Sequence, residues 1–547
     1  MKDVLKRKII AILAGAFFIC APAWAQYYYT AGVTLLRDLN TNLNGAGIRV
    51  GQPEAPVDQA GFDWEVSPSY AGQPVGIFSY ISNGVVETGF TNSLGGESGH
   101  ADSVAWNFYG LTTGVATNVL HMDNYNANYF AQEREEPEGS TTNYTLDLPS
   151  SNILDSVVNQ SYIFAVYVDG VYYNCGSNEQ AVLDSAFDNY AVQYATLFVS
   201  GAGNGSPTYV SPPATCYNGI GVGVYEGNGS SPGPTIDNGR CKPDITAIAP
   251  GGDTSFSCPL VAGSAAVLLQ AAARGDGGTT NCATNMMTIK ALLLNGAVKP
   301  ADWTAVAPSP LDFRYGSGVL NVFNSYEELA FGKHVYNFAT NIPEGTAHPP
   351  VVLSAAVPAL SGWDLNTNSS TSSKDGVNHY FFNITNSSPA APFALTATLV
   401  WNRHKNQSAI NNLALYLYNA ANSNLVAAST SVVDNLQQVF VPQLAQGRYD
   451  LQVWKAGGSY VTASEPYALA WQMTSESLGV AKYGTNICLS WPAYPAGFAV
   501  AAATSLNSPI SWSTNNLPLP VFTNNQLMVW TSATNSEEFF RLQTPNF

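Results

Sequence analysis

The chain is organised around Gly251-Gly252-Asp253-Thr254-Ser255-Phe256-Ser257-Cys258-Pro259-Leu260-Val261-Ala262-Gly263, where a Gly-Gly turn precedes an apolar, alanine-rich run that continues to Arg274. This pattern predicts a buried helix. Ser255 lies on its first turn, where unpaired backbone N–H groups and the positive end of the helix dipole favour a hydroxyl and any oxyanion formed beside it. Pro259 fits that turn, because a missing N–H costs little there. Taken alone, however, a serine here indicates a helix N-cap, so a chemical role needs support from the rest of the chain.

The N-terminus has the pattern of a cleaved secretory signal. A basic start is followed by an apolar run over 9–20 and by Ala23-Trp24-Ala25. A basic start, a short apolar core and an A-x-A end are typical of such signals. We therefore expect a signal peptide at 1–25 and a mature protein that is secreted, periplasmic or at the cell surface. No stretch is long and apolar enough to predict a membrane span.

The composition limits which binding partners, and which disulfide or zinc sites, the sequence predicts. The net charge of −17, with only 21 Lys and Arg residues, argues against nucleic acid and anionic membranes as partners. Cysteines after the signal are even in number, which permits disulfides in an exported chain without fixing their pairing. Because no C-x-x-C spacing occurs, they do not indicate a structural zinc site. They are Cys175, Cys216, Cys241, Cys258, Cys282 and Cys488.

Strand and helix patterns alternate through the N-terminal part. A strand at 48–54 ends on Glu54, and Asn204 follows a buried strand at 196–200 in a Gly-rich turn. Such alternation predicts an α/β fold with a parallel sheet covered by helices on both faces. Because sites in such sheets lie at the carboxyl ends of the strands, Glu54 and Asn204 are candidate site residues. Further strands are expected at 157–162, 220–224 and 242–247, and helices at 31–39 and 186–195.

Two histidines, His100 and His121, lie between the signal and residue 330. If Ser255 attacks a carbonyl carbon, one of them has to act as its general base. His100 follows a Gly-rich loop at the start of a predicted helix, whereas His121 lies among apolar residues and is expected to pack or to cap. Asn204 also has a plain explanation, because asparagine tolerates the left-handed backbone of a turn.

Five segments, in order along the chain, resemble the motifs of the subtilases, which are subtilisin-like serine peptidases. The resemblance covers about residues 40–330. Residues 252–259 resemble the G-T-S-M-A-x-P serine motif, with Asp253 in place of Gly and Ser257 in place of Ala, and 99–105 resemble the H-G-T-H-V-A histidine motif without its Gly and second His. The other three are Ala202-Gly203-Asn204 for A-G-N, Lys242-Pro243-Asp244-Ile245 for K-P-D-I, and residues 314–321 for the segment that closes the domain.

The acidic residue is where the sequence departs from the subtilases. Aligning 45–50 with the family's G-x-G-V-x-V puts Glu54 at the position of the catalytic Asp. Glutamate can also accept the histidine Nδ1–H, although its extra methylene needs a shifted strand or rotamer. Glu54-x-x-x-Asp58 also resembles sedolisins, which use Glu-Asp-Ser and an oxyanion Asp, but the presence of His100 and Asn204 favours the subtilisin-type arrangement. The competing carboxylates are Asp58, Asp63, Glu65 and Asp102.

The resemblance implies a serine endopeptidase with a Glu54-His100-Ser255 triad. Ser255 attacks the scissile carbonyl, His100 takes its proton and returns it to the leaving amine, and Glu54 orients His100. The Ser255 N–H and the Asn204 side-chain amide are expected to donate to the oxyanion. Acid, histidine, serine is also the chain order of subtilisin. We expect a protein or peptide substrate and no required cofactor, and the resemblance leaves calcium open.

Two features favour a different function. Only a short segment separates the signal from Glu54, so the usual inhibitory propeptide of secreted subtilases is not expected, and the serine and histidine motifs are degenerate. The alternative is a catalytically inactive subtilase-fold protein that acts as an extracellular binding or adhesion module.

The last third has a different pattern. Period-two runs separated by Asn, Ser and Gly turns predict an all-β sandwich at 336–475, which resembles the jelly-roll domains that follow many subtilase catalytic domains. Residues 476–547 are similar to a small fibronectin-like β-module, and contact with a cell surface or polysaccharide is one role open to these parts. The expected domains are a signal peptide at 1–25, a subtilase-like catalytic domain at 26–335, the sandwich and the β-module.

Overall fold

The computed structural model describes most of the chain. The described residues are 8–10, 27–58, 60–135, 144–168, 171–205, 209–225, 229–347, 350, 359–385, 393–458, 461–514, 517–532 and 538–544. The expected signal peptide at 1–25 lies outside them apart from Lys8–Ile10, a strand that pairs antiparallel with Ile163–Val168. Signal cleavage and export therefore stay predictions.

A central eight-stranded sheet forms the core of the N-terminal part. All of its strands run parallel except the edge strand Val85–Glu87, and four of the eight are buried along their whole length. Buried parallel strands are expected in a sheet that helices cover on both faces, so the α/β prediction is confirmed. In spatial order the strands are Ile245–Ala247, Ile220–Val224, Leu197–Gly201, Val157–Gln160, Arg49–Glu54, His121–Asn126, Phe78–Ser82 and Val85–Glu87.

Helices pack on both faces of this sheet. Because successive side chains of a strand point to opposite faces, Leu197 packs in one apolar cluster with helix Thr254–Arg274 and Phe198 in another with helix Ser177–Tyr194. The α-helices are Val33–Leu39, Pro68–Ala71, Gly99–Phe108, Ala127–Phe130, Ser177–Tyr194, Thr254–Arg274, Thr280–Ala283, Met286–Asn295 and Val322–Ala330, and 3-10 turns lie at Val75–Ile77 and Pro250–Gly252.

The helix predicted from the Gly-Gly stretch spans Thr254–Arg274 and is almost entirely buried. Gly251 and Gly252 have φ values of 80° and 72°, a left-handed conformation that glycine adopts without strain, which explains the two glycines ahead of the helix. In the described residues it is the one helix long and apolar enough to cross a membrane, but 83% of its most apolar window is buried inside the fold. A core helix has the same composition, so it does not indicate a membrane span.

Pro259 lies deeper in the helix than the sequence pattern predicts. It is the sixth helical residue rather than part of the first turn, because the helix begins at Thr254. A proline there cannot donate to the carbonyl of residue 255, four positions earlier. Ser161 Oγ donates to that carbonyl at 2.9 Å instead. The side chain that directly follows the central strand Val157–Gln160 therefore replaces the bond that Pro259 cannot make.

The C-terminal sandwich has two antiparallel sheets, as the period-two pattern predicts. The four-stranded sheet faces helix Met286–Asn295, which contacts its strands Phe393–Trp401 and Ser464–Thr474. The five-stranded sheet is Phe338–Pro343, Lys374–Ile384, Gly447–Lys455, Leu413–Asn419 and Leu425–Ser429, and the four-stranded sheet is Ser361–Ser369, Ser464–Thr474, Phe393–Trp401 and Leu436–Leu444.

The last β-module packs against the N-terminal part. Its buried Trp491 belongs to the same apolar cluster as helix Thr254–Arg274, and Ala496 N–H donates to Asn324 Oδ1 at 2.6 Å. Its strands are Gly479–Tyr483, Asn486–Pro492, Ala499–Ala503, Val521–Thr523, Gln526–Ser532 and Phe539–Gln543. The remaining short strands are Asp63–Glu65, Gly96–Glu97, Gln132–Glu135, Tyr144–Asp147, Ile163–Val168 and Val171–Asn174. The domain boundaries drawn from the sequence stay predictions. Among the cysteines that the structure describes, the free thiols include Cys216, Cys241, Cys258, Cys282 and Cys488.

Candidate active site

Glu54 and His100 meet at the carboxyl end of the central sheet. Glu54 ends the strand Arg49–Glu54, and His100 lies in the first turn of helix Gly99–Phe108, which Ser98 caps by accepting from the Ala101 N–H. Glu54 Oε2 lies 2.9 Å from His100 Nδ1, and the two side chains are 1% and 3% exposed. The carboxylate fixes Nδ1 as the protonated nitrogen and leaves Nε2 able to accept a proton.

Gln52, which the sequence motifs do not single out, holds the other oxygen of Glu54. Gln52 Nε2 donates to Glu54 Oε1 at 2.8 Å, and Tyr109 Oη donates to Gln52 Oε1 at 2.6 Å. All three side chains are buried. The extra methylene of Glu54 is therefore held in one position by a bond to each carboxylate oxygen. Residues two apart in a strand share a face, and this is the signal by which Gln52 could have been found.

The competing carboxylates bind other groups. Asp58 accepts from three backbone N–H groups of its own turn, those of residues 60, 62 and 63. Asp102 Oδ1 accepts from the Ser67 N–H at 2.7 Å, and Glu65 accepts from Asn92 Nδ2 at 3.1 Å. Among the described residues, Glu54 is the carboxylate that hydrogen-bonds His100.

Asp102 lies two residues after His100 and is expected to make stability depend on pH. Burial, together with the neighbouring Glu97 and Glu54, raises the pKa of its carboxyl to about 8, against about 4 in an unfolded chain. Between these pH values the folded chain binds more protons than the unfolded chain. The free energy of unfolding therefore falls as pH rises from about 4 to about 8.

Replacing Asp102 by asparagine is expected to remove part of this dependence. Asparagine keeps an acceptor for the Ser67 N–H but cannot ionise. Urea unfolding at pH 5 and pH 8 should show a loss of stability in the wild type that is smaller in Asp102→Asn by about 1–3 kcal/mol. Equal losses in the two proteins would show that Asp102 does not titrate in this range.

Ser255 is the second residue of its helix and is 5% exposed. The ring of the next residue, Phe256, lies 6.1 Å from the His100 ring, so the start of the helix packs beside the histidine. No described residue hydrogen-bonds His100 Nε2, which is buried. A buried nitrogen without a partner is rare in folded proteins and marks a place where a hydroxyl or a substrate group can bond.

The two departures from the serine motif fit the local structure. Asp253 occupies the N-cap position with φ −112°, an extended conformation that does not require glycine. Ser257 is fully buried, and its hydroxyl donates to the Thr254 carbonyl at 3.3 Å. Neither residue therefore changes the backbone that presents Ser255.

Asn204 is oriented by the residue that precedes Ser255. Its Oδ1 accepts from the Thr254 N–H and from Thr254 Oγ1, each at 2.8 Å. These two bonds fix the amide so that Nδ2 is the remaining donor. Asn204 and Ser255 both line one small cleft. Its lining residues are Ser161, Tyr162, Ile163, Gly201, Gly203, Asn204, Thr254 and Ser255.

His121 makes its hydrogen bonds to other residues. Its Nε2 is 2.9 Å from Ser79 Oγ and 3.3 Å from Asp123 Oδ1, and burial lowers its pKa. Within the part of the chain that the structure describes, no group of three or more His, Cys, Asp or Glu side chains could hold a metal ion.

One known family matches the middle of the chain, which carries Asn204 and Ser255. Residues 156–318 match the model of the subtilase family, Peptidase_S8. This subtilase domain match includes Asn204 and Ser255 but begins after Glu54 and His100. The assignment of the last two therefore depends on the geometry described above.

Three solved structures are similar to the chain. The patellamide maturation protease PatA is 18% identical, over 53% of this chain and 98% of that chain, at a TM-score of 0.31. The Aeromonas sobria serine protease, solved with its chaperone, is 12% identical over 90% and 89%, at 0.34. The epidermin leader peptide processing serine protease EpiP from Staphylococcus aureus is 14% identical over 58% and 83%, at 0.35. No curated protein matches the sequence significantly. At such low similarity, function has to be argued from the residues of this chain.

Proposed function

We propose that the protein is a secreted serine endopeptidase that cleaves peptide bonds through an acyl-enzyme on Ser255. The observation that carries the proposal is the buried His100, bonded at Nδ1 to Glu54 at 2.9 Å, while no described residue bonds its Nε2. In most folded proteins a structural histidine has both ring nitrogens hydrogen-bonded. The start of the Ser255 helix packs beside the same ring.

The proposed mechanism uses four side chains. His100 Nε2 takes the proton of Ser255 as the hydroxyl oxygen bonds the scissile carbonyl carbon, and the oxyanion that forms accepts from Asn204 Nδ2 and the Ser255 N–H. The protonated His100, stabilised by Glu54, gives its proton to the amine as the C–N bond breaks. Water then attacks the acyl-enzyme by the same route, which releases the acid and restores the Ser255 hydroxyl.

Digestion of a denatured protein substrate tests this function. The purified protein is expected to cut the substrate at internal bonds, which mass spectrometry of the products identifies, and Ser255→Ala is expected to leave it intact. Removal of residues one at a time from one end would contradict the endopeptidase proposal. An intact substrate with correctly folded protein would favour the alternative, an inactive subtilase-fold binding or adhesion module.

Asn204→Ala is expected to lower kcat by about 10²–10³ with little change in KM, because a donor to the oxyanion acts mainly in the transition state. Thr254→Val is the matched control, since it removes only one of the two bonds that hold Asn204 Oδ1 and keeps the donor. Its loss should be much smaller. Steady-state kinetics on one peptide decides this, and equal losses in both variants would mean that Asn204 acts only by holding Thr254.

A further inference from the structure

The cleft that Asn204 and Ser255 line, which we call the Ser255 cleft, is very small. Its volume is about 10 Å³. A cavity needs about 10–15 Å³ to hold a single water molecule. Because a methyl group is close to a water molecule in size, the Ser255 cleft has room for one methyl group and for little more.

Ile163 and Gly203 set the width of the Ser255 cleft. Gly203 has no side chain, and a Cβ atom at this position would lie 3.8 Å from Ile163 Cγ2. That is an ordinary van der Waals distance between carbon atoms, so the gap between the two residues is one carbon wide. The Ser231 hydroxyl also borders this gap, 3.1 Å from the same Cβ position. Ile163 is 5% exposed and β-branched, which leaves it few other rotamers.

The strand that begins at Ile163 indicates which part of a substrate reaches the Ser255 cleft. Its edge pairs antiparallel with the extended segment Lys8–Ile10, and Ile10 lies opposite Ile163. Cleavage of the expected signal peptide would open this edge to a peptide, which can bind by adding a strand to a sheet. A peptide in the same orientation runs on toward Ser161, whose Oγ bonds the Ser255 carbonyl at 2.9 Å. It reaches the serine from its own N-terminal side, so the residue beside the cleft is the one whose carbonyl is attacked.

We propose that the Ser255 cleft selects glycine or alanine as the residue that supplies the attacked carbonyl, and that Ile163 sets this limit. The inference rests on the proposed peptidase function and adds the class of peptide bond that is cut. When the carbonyl oxygen accepts from the Asn204 and Ser255 donors, the Cα of the same residue lies one bond from the carbonyl carbon. Its side chain then enters the gap between Gly203 and Ile163. A methyl group fits there, whereas a larger side chain would force Ile163 or the backbone to move, which costs free energy.

Binding of product-like peptides to the full-length Ser255→Ala protein tests this inference without any catalysis. The probes are fluorescently labelled tetrapeptide acids that differ only in the last residue, which is glycine, alanine, leucine or phenylalanine. Their carboxylate takes the place of the attacked carbonyl, so the last side chain is the one at the cleft. Fluorescence anisotropy gives the dissociation constants. The glycine and alanine peptides are expected to bind about 10–100-fold more tightly than the leucine and phenylalanine peptides.

Two substitutions of Ile163 in the same parent protein test the role of this side chain. Ile163→Ala removes Cγ2 and is expected to reduce the difference between the alanine and leucine peptides by about 10-fold. Ile163→Val keeps Cγ2 and loses only the terminal methyl group, so it is the matched control and should keep the preference of the parent protein.

Tight binding of the leucine or phenylalanine peptide to the parent protein would overturn the proposal, and so would the absence of binding by all four peptides. An unchanged difference in folded Ile163→Ala, or an equal change in Ile163→Val, would also overturn it. If Ile163→Ala does not fold, the four peptides on the unaltered cleft still decide the question.

Mapping the bonds that the Ser255 protein cuts separates this inference from the proposed function. Cutting mainly after large residues would overturn the size limit and leave the peptidase function standing. Selective binding of the glycine and alanine peptides without any cutting would contradict the peptidase function and leave the size limit standing.

Discussion

Replacing Ser255 by alanine is expected to lower kcat by about 10⁶. The substitution removes the nucleophile. The catalysis that remains comes only from oriented binding of the substrate and from the oxyanion donors. KM should change little, because the hydroxyl adds little to substrate binding before the bond forms. Steady-state hydrolysis of a single peptide measures both constants.

Ser257→Ala is the matched control for this substitution. Ser257 is a buried serine two residues after Ser255 in the same helix. Among the described residues, its hydroxyl bonds only the Thr254 carbonyl. Its removal should leave kcat within a few-fold. A comparable fall in both variants would mean that the helix start, and not the Ser255 hydroxyl, had been disturbed.

Replacing Glu54 by glutamine is expected to lower kcat by about 10⁴. Gln52 Nε2 donates to the Oε1 position, so a glutamine at 54 would turn its carbonyl toward Gln52 and its NH₂ toward His100. Nδ1 would then have to accept, and Nε2 would carry the proton, which is the wrong tautomer for a base. Steady-state kinetics and the pH dependence of kcat check this result.

Three further variants separate Glu54 from its competitors. Glu54→Asp keeps the charge but is shorter by one methylene, so its activity should lie between that of the wild type and Glu54→Gln. Asp58→Asn and Asp102→Asn are controls, because these carboxylates bind backbone N–H groups and not His100. They should retain nearly full activity. A larger loss in Asp102→Asn than in Glu54→Gln would reassign the acid.

Much of the fold follows from local patterns in the sequence. The buried runs at 157–160, 197–201 and 220–224 are strands of the central sheet, and the apolar run after Gly252 is the core helix. Period-two runs likewise predict the sandwich strands Phe393–Trp401 and Leu413–Asn419. In each case the pattern reflects which faces are buried, and burial is what the sheet and the helix require.

The supporting contacts of the site could not be predicted in the same way. The strand spacing places Gln52 on the same face as Glu54, but the Tyr109 hydroxyl that bonds Gln52 lies 57 positions away. Ser161 donates to the Ser255 carbonyl across 94 positions, and Pro259 takes its place in the second turn because that bond is available. Hydrogen bonds between residues so distant in sequence depend on the tertiary fold, and a short sequence motif does not predict them.

Labelling with a fluorophosphonate, followed by peptide mapping, tests most directly whether His100 activates Ser255. The probe reacts covalently with a serine whose proton a base removes. We predict a single adduct on Ser255 in the wild type, slower labelling in Glu54→Gln, and none in His100→Ala or Ser255→Ala. A correctly folded wild-type protein that takes up no label, or takes it up on another residue, would contradict the account.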